Sequence, residues 1–246
     1  MTDEVKKYWD SKETQSMVDK DLIEIETNAI LGQLEAQDRV LDVGCGEGES
    51  TVRYFEKVGE LTAIDYSETR IEKLKESNDK ISTILMDMRE LRPDKFKSKF
   101  DKVITQRSLI NLKDFNEQIG VIKRIHSLLN KNGKYIMLEG FNEGVEEVNR
   151  IRNDFGLKSI PVRWHNRFFN KRELLDSISS IFKLEYERDF SLYFFLTRVF
   201  KSTLIYPEEP KYHDDFNRLA KEMEIAYRNE FIRGVSRLEL LVFSRI

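Results

Sequence analysis

The chain predicts a doubly wound α/β fold on a mostly parallel sheet. Three observations carry this. The stretch Val40-Leu41-Asp42-Val43-Gly44-Cys45-Gly46-Glu47-Gly48 is an apolar run that breaks into three glycines at alternate positions, and Ser50 then opens a helix. Two further apolar runs close on acids, 61–64 on Asp65 and 81–86 on Asp87. Amphipathic stretches separate these runs, so strands and helices alternate.

In chain order, residues 1–35 read as a helical extension, with Met17, Ile23, Ile30 and Leu34 near one face. Within it Tyr8 and Trp9 stand in a polar segment, as a lid over a ligand or as a hydrophobic staple. Strand one is 39–43, followed by a helix over 50–58. Strand two ends at Asp65, and Ser67 has the side chain of an N-cap for a helix reaching Asn78. Strand three is 81–86, and Pro93 marks the loop beyond it. Strand four is 102–106. The helix 115–129 carries Ile119, Ile122, Ile125 and Leu129 on one stripe. Asn132-Gly133 then turns the chain into strand five, 135–139.

A basic and aromatic segment follows at 140–180, and 182–230 reads as a second insertion. The second holds an aromatic patch from Phe190 to Phe200, either core or a dimer face, with a pocket wall as the lesser alternative. Pro207 and Pro210 break the chain, and 214–228 is another helix.

Glycine admits positive φ and lets a ligand approach the backbone. Strand, glycine loop and helix start together make the first βα turn of a nucleotide-binding sheet, whose ligands sit at the carboxyl ends of the strands. The spacing is G-x-G-x-G, not the G-x-G-x-x-G of dinucleotide sites. Asp65 ends the second strand, where a carboxylate can accept both ribose hydroxyls. Asp87 ends the third and can accept from an adenine amino group. Glu47 and Glu49 flank the turn, which opposes a pyrophosphate there and suits a ligand carrying a sulfonium and an ammonium.

Composition bounds the rest. Hydrophobic content of 40% supports a core, and a net charge of −3 gives no global reason to expect nucleic acid. One cysteine excludes a disulfide framework, and Cys45 reads as a small filler among the glycines. No metal is expected. The polar N-terminus predicts no signal peptide, and the longest apolar run, 192–196, is too short to span a membrane, so a cytoplasmic enzyme is expected.

Together these motifs resemble those of class I S-adenosylmethionine-dependent methyltransferases. The resemblance covers residues ~36–140 closely, in order, spacing and strand context. It implies that Asp42, Gly44, Gly46 and Gly48 surround the methionine part of the cofactor and that Asp65, with Tyr66 beside it, holds the ribose. It implies Asp87 and Met88 at the adenine, and Gln106 and Arg107 at the end of strand four, over the transferable methyl. Tyr8 and Trp9 would close as the lid. The fold implied has seven strands, the last antiparallel, with 237–243 as the candidate for that strand and helical insertions after strands five and six. One domain would then comprise a lid (1–35), a cofactor-binding core (36–140), insertions forming the acceptor site (141–230) and the last strand (235–246).

The acceptor is predicted from the insertion after strand five. From Arg150 to Arg172 it holds Arg150, Arg152, Lys158, Arg163, Arg167, Lys171 and Arg172 against Asp154 alone. Arg163, Trp164, His165 and Asn166 are the expected acceptor-binding residues, because guanidinium forks bind carboxylate or phosphate and tryptophan offers a stacking face. His165 is the candidate general base, either as a base or as an orienter, and Glu139 is a second candidate. Thr105-Gln106-Arg107-Ser108 is not the Asn/Asp-Pro-Pro-Tyr that relatives use on bases or on glutamine, so nucleic acid is not expected. A small, anionic acceptor remains, with a looser resemblance to enzymes of bacterial surface-polysaccharide and nucleotide-sugar pathways. A homodimer, a non-catalytic cofactor-binding subunit and an NAD-dependent oxidoreductase stay open as alternatives.

Overall fold

A computed structural model describes residues 3–10, 18–228 and 230–246. Seven strands form one sheet: β1 (Arg39–Val43), β2 (Glu60–Asp65), β3 (Ser82–Leu85), β4 (Phe100–Gln106), β5 (Leu129–Gly140), β6 (Phe182–Asp189) and β7 (Leu238–Arg245). Their order is β3-β2-β1-β4-β5-β7-β6. The pairs among β1 to β5 are parallel, and β7 runs antiparallel to both neighbours. The order reverses between β1 and β4, and at such a switch point the connecting helices leave on opposite faces and open a crevice.

The helices are α1 (Asp3–Asp10), α2 (Lys20–Leu31), α3 (Thr51–Val58), α4 (Glu68–Ser77), α5 (Phe115–Leu128), α6 (Asn142–Asp154), α7 (Lys171–Ile178), α8 (Ser191–Phe194), α9 (Lys201–Ile205) and α10 (Asp215–Tyr227). A π-helical stretch, Phe195–Phe200, joins α8 to α9. Strand alternation divides the core. Leu41 and Val43 pack with α5 and α7 on one face, while Val40 packs with α2, α3 and α8 on the other. Burying one such side chain stabilises by about 1.5–3 kcal/mol, so this two-sided pattern fixes the register of the central strands.

Several expectations are corrected. The described parts of the N-terminal extension are helical over Asp3–Asp10 and Lys20–Leu31, as expected; Ile23, Ile30 and Leu34 are buried, but Leu34 lies beyond the helix, and Met17 lies outside the described residues. β5 begins at Leu129, and Gly133 lies within it rather than in a turn before it. Residues 182–189, read as insertion, are the edge strand β6. Its burial alternates poorly and its exposed face is charged, which hid it from a hydrophobic pattern. The last strand is shifted to Leu238–Arg245. Ser67 is the N-cap of α4 by position, but its side chain makes no capping bond; its backbone N–H donates to Asp65 instead. In the aromatic patch Phe190, Tyr193 and Phe194 are core, while Phe200 is exposed.

Candidate functional site

The glycine loop is held by its own backbone. The N–H groups of Gly44 and Cys45 both donate to the Ile64 carbonyl, at 2.8 and 3.0 Å. Gly44, Gly46 and Gly48 all take positive φ, which fixes their identity. They do different things. A Cβ at Gly46 would meet only an Arg70 nitrogen at 3.7 Å, so its free face is open. A Cβ at Gly44 would collide with Ser108 at 2.5 Å, and one at Gly48 with Leu74 at 2.3 Å. Gly48 is therefore a helix-packing glycine and does not line the cavity, contrary to the role expected for it.

A cavity of about 640 Å³ opens at the carboxyl ends of β1, β2 and β4. Asp42, Gly44, Cys45, Gly46, Asp65 and Tyr66 line one end. Asp65 is buried; its carboxylate accepts the Gly46 N–H at 3.0 Å and the Ser67 N–H at 2.9 Å. Burial raises its pKa, and those two backbone bonds hold the rise down. Asp42 accepts the Thr51 hydroxyl at 2.7 Å, and burial pushes its pKa up to about 7. The Tyr66 hydroxyl is buried without a hydrogen-bond partner among the described residues. Glu47 and Glu49, expected to flank the turn, are held by Lys73 at 2.8 Å and Lys20 at 2.7 Å.

At the third strand the expectation divides. Met88 lines the cavity together with Met86, but Asp87 does not. The Asp87 carboxylate is taken by the backbone N–H of Arg89 at 2.9 Å and by its guanidinium at 2.7 Å. Partial burial raises the Asp87 pKa, but the bonds from Arg89 outweigh it and the net shift is downward.

The end of β4 forms the middle of the cavity. Tyr54 donates its hydroxyl to Gln106 at 2.7 Å, and Gln106 donates to Glu26 at 2.9 Å. Arg107 has φ +54, a left-handed conformation costing about 1–2 kcal/mol, and its guanidinium reaches Glu26 at 3.5 Å. Glu26 is fully buried, and burial raises its pKa while Arg107 opposes the rise. Glu139 is not a cleft base. It is fully buried, and its carboxylate caps the following turn by accepting the N–H groups of Ser108, Leu109 and Ile110 at 3.2, 3.0 and 3.4 Å. Burial holds its pKa at about 7.

The insertion after β5 closes the far end. Arg167 donates its backbone N–H to the Ile110 carbonyl at 2.7 Å, and Gln118 donates to the Arg167 carbonyl at 2.7 Å, tying this loop to the end of β4. Arg163, His165 and Asn166 line the cavity; Trp164 does not and is 51% exposed. Of the basic run only Arg163 reaches the cavity. Arg150 pairs with Glu147 and Asp154, Lys171 with Glu239, Arg172 with Asp176, and Arg152 donates to the Lys158 carbonyl. These are ordinary helix-surface and packing contacts.

Tyr8 and Trp9 meet this loop. The Tyr8 ring lies 4.5 Å from the His165 ring, and Trp9 lies 5.4 Å from it. Trp9 lines the cavity, donates Nε1 to Asn111 at 3.1 Å, and carries the Arg70 guanidinium 4.9 Å over its ring. Tyr8 does not line the cavity and packs its ring against His165. Among the described residues the buried His165 Nδ1 has no hydrogen-bond partner. Burial, with Arg163 and Arg167 beside it, lowers its pKa to about 4.

Sequence reasoning missed Glu26, Arg70, Arg198, Tyr212 and Arg237, all of which line the cavity. Arg198 rides on the π-helical stretch and pairs with Asp19, whose side chain also accepts the Tyr193 hydroxyl. Glu26, Arg70 and Arg198 sit in helical stretches, Tyr212 in the loop before α10 and Arg237 just before β7, with no motif to single them out.

A methyltransferase domain family matches residues 34–182, more than half of the chain. The chain belongs to this family. The fold agrees with solved methyltransferases of low sequence identity. The N-methyltransferase NodS from Bradyrhizobium japonicum, in complex with S-adenosyl-l-homocysteine, superposes with TM-score 0.57 and 12% identity, over 98% of this chain and 96% of that one. The CcbJ methyltransferase from Streptomyces caelestis gives TM-score 0.59 and 15% identity, over 90% and 89%. A TehB-like SAM-dependent methyltransferase from Corynebacterium glutamicum gives TM-score 0.56 and 14% identity, over 90% and 88%. Among curated proteins, the provisionally named methyltransferase YqeM of Bacillus subtilis is 33% identical over 111 residues. That match spans 44% of this methyltransferase-family chain and 44% of YqeM, under half the length of either. No helix among the described residues is long and apolar enough to cross a membrane.

Proposed function

We propose that this methyltransferase-family protein moves a methyl group from S-adenosylmethionine to an oxygen or nitrogen of a small anionic molecule, such as a phosphorylated or nucleotide-activated sugar. One observation supports this above the others. The same cavity is lined at one end by Gly46, Asp65 and Tyr66 and at the other by Arg107, Arg163 and Arg237.

The first end fits the cofactor. Gly46 offers an open face, Asp65 is a buried carboxylate at the end of β2, and the Tyr66 hydroxyl lacks a partner among the described residues. Asp65 would hold the ribose hydroxyls, and Asp42 with the glycine loop the methionine part. Gln106 ends β4 between the two halves, and Arg107, the next residue, lies on the acceptor side. When bound, the sulfonium supplies the methyl and leaves as a neutral thioether. The protein's part is to place the acceptor in line and exclude water, and Trp9, latched to Asn111 and Arg70, closes the mouth. His165, neutral at physiological pH, would orient the acceptor by accepting a hydrogen bond from its hydroxyl or amine.

The test is thermal unfolding with S-adenosylhomocysteine, S-adenosylmethionine or NAD. The two sulfur compounds should raise Tm and NAD should not. A rise with NAD alone would favour the oxidoreductase reading instead.

A further inference from the structure

The acceptor end of the cavity carries more positive charge than its own carboxylates offset. Four guanidiniums line it, those of Arg107, Arg163, Arg198 and Arg237, against Asp19 and Glu26. Arg198 pairs with Asp19, and Arg107 reaches Glu26. Arg237 and Arg163 make no side-chain hydrogen bond or ion pair with any described residue. Arg163 is exposed at the mouth, where water solvates it. Arg237 is half-buried just before β7, so solvent does little for it. Burial and the facing Arg107, Arg198 and Arg163 lower its pKa to about 10, and the Tyr212 hydroxyl pulls the other way.

A half-buried guanidinium crowded by three others, which feels the Glu26 charge but forms no ion pair with a described carboxylate, is unfavourable in the fold alone. The crowding is intrinsic to the frame. Arg107 is fixed by a left-handed backbone and by its N–H bond to the Leu138 carbonyl at 2.7 Å. Arg237 is fixed by its carbonyl, which accepts the Phe141 N–H at 2.9 Å. Four separate segments thus deliver guanidiniums to one chamber. Arginine forks match the oxygens of phosphate, and two uncompensated cations call for a dianion.

We propose that Arg237, with Arg163 and Arg107, seats a dianionic phosphate monoester carried by the methyl acceptor. The inference rests on the methyl-transfer reading for the identity of the acceptor, but the seat is testable without it. Arg237 is then a specificity residue, remote in sequence from the basic run that first suggested an anionic substrate.

The experiment is calorimetric titration of inorganic phosphate into the full chain, with and without saturating S-adenosylhomocysteine, repeated for Arg237→Met and Arg237→Lys. Phosphate should bind the unaltered protein, more tightly at pH 8 than at pH 6 as the dianion forms. Arg237→Met should weaken it on the order of tenfold or more, Arg237→Lys less, and neither should change S-adenosylhomocysteine affinity beyond about twofold. Arg237→Met should also melt no lower than the parent, since it relieves repulsion, which separates a lost seat from a lost fold. Equal phosphate binding by parent and Arg237→Met, no phosphate binding at all, or acetate bound as tightly as phosphate would each overturn the seat. Phosphate bound without any S-adenosylhomocysteine binding would leave the seat standing and remove the methyl-transfer reading.

Discussion

Arg70 lays its guanidinium 4.9 Å over the Trp9 ring and donates Nε to the Trp9 carbonyl at 3.1 Å. This joins the first helix of the chain to α4, whose N-terminus follows directly from Asp65 and Tyr66. Trp9 and the Asp65 end of the cavity are therefore tied together through α4. Trp9→Ala removes the stacked ring and the Asn111 bond but leaves the glycine loop alone. The expected result is a faster release of S-adenosylhomocysteine in stopped-flow measurements and an affinity lower by about tenfold, from a cation–π contact of roughly 0.5–2 kcal/mol and one hydrogen bond.

Two glycines two positions apart should fail differently. Gly46→Val places a side chain in open cavity space and should abolish cofactor binding while the protein still unfolds cooperatively. Gly48→Val drives a Cβ into Leu74 and should lower Tm. Equal loss of stability in both variants would show that the loop has no ligand-facing position.

Asp65→Ala should weaken S-adenosylhomocysteine by about 1.5–3 kcal/mol, the range for a hydrogen-bonded charged acceptor. Calorimetry reads this directly, and unchanged affinity removes Asp65 from the ribose. The parallel change at Asp87 should have a smaller effect, because Arg89 already occupies that carboxylate.

Asp42 sets a pH dependence. Its pKa in the fold is about 7, against about 3.9 in an unfolded chain. A raised carboxyl pKa means that the folded state holds the extra proton. Its contribution to stability is complete below pH ~4 and is lost as pH rises through 7. A ligand with a cationic end favours the ionised form, so binding near pH 6 should release a proton. S-adenosylhomocysteine affinity should rise from pH 5 to 8, and Asp42→Asn should flatten that rise.

His165→Phe keeps a ring beside Tyr8 and Trp9 while removing both nitrogens. Cofactor affinity should persist and kcat should fall by about ten- to a hundredfold. With its pKa near 4, His165 should give the pH–rate profile no inflection between pH 6 and 8. An inflection lost in His165→Phe would instead make it a titrating base.

The strand–glycine–helix unit, the places of the first five strands along the chain and the acid at the end of β2 were all legible in the sequence. Each depends on local chemistry: an apolar run needs burial, and positive φ needs glycine. Much of the acceptor end was not legible. Six of the seven cations between Arg150 and Arg172 turned out to serve surfaces and packing, while Arg237 and Glu26, far from that run, line the cavity. The sequence alone determined that a nucleotide-type crevice exists and where its floor lies. Only the tertiary structure decided which charges face it, because a side chain's partner depends on how the antiparallel β7 and the insertion after β5 fold back over the switch point, and no periodicity along the chain encodes that approach.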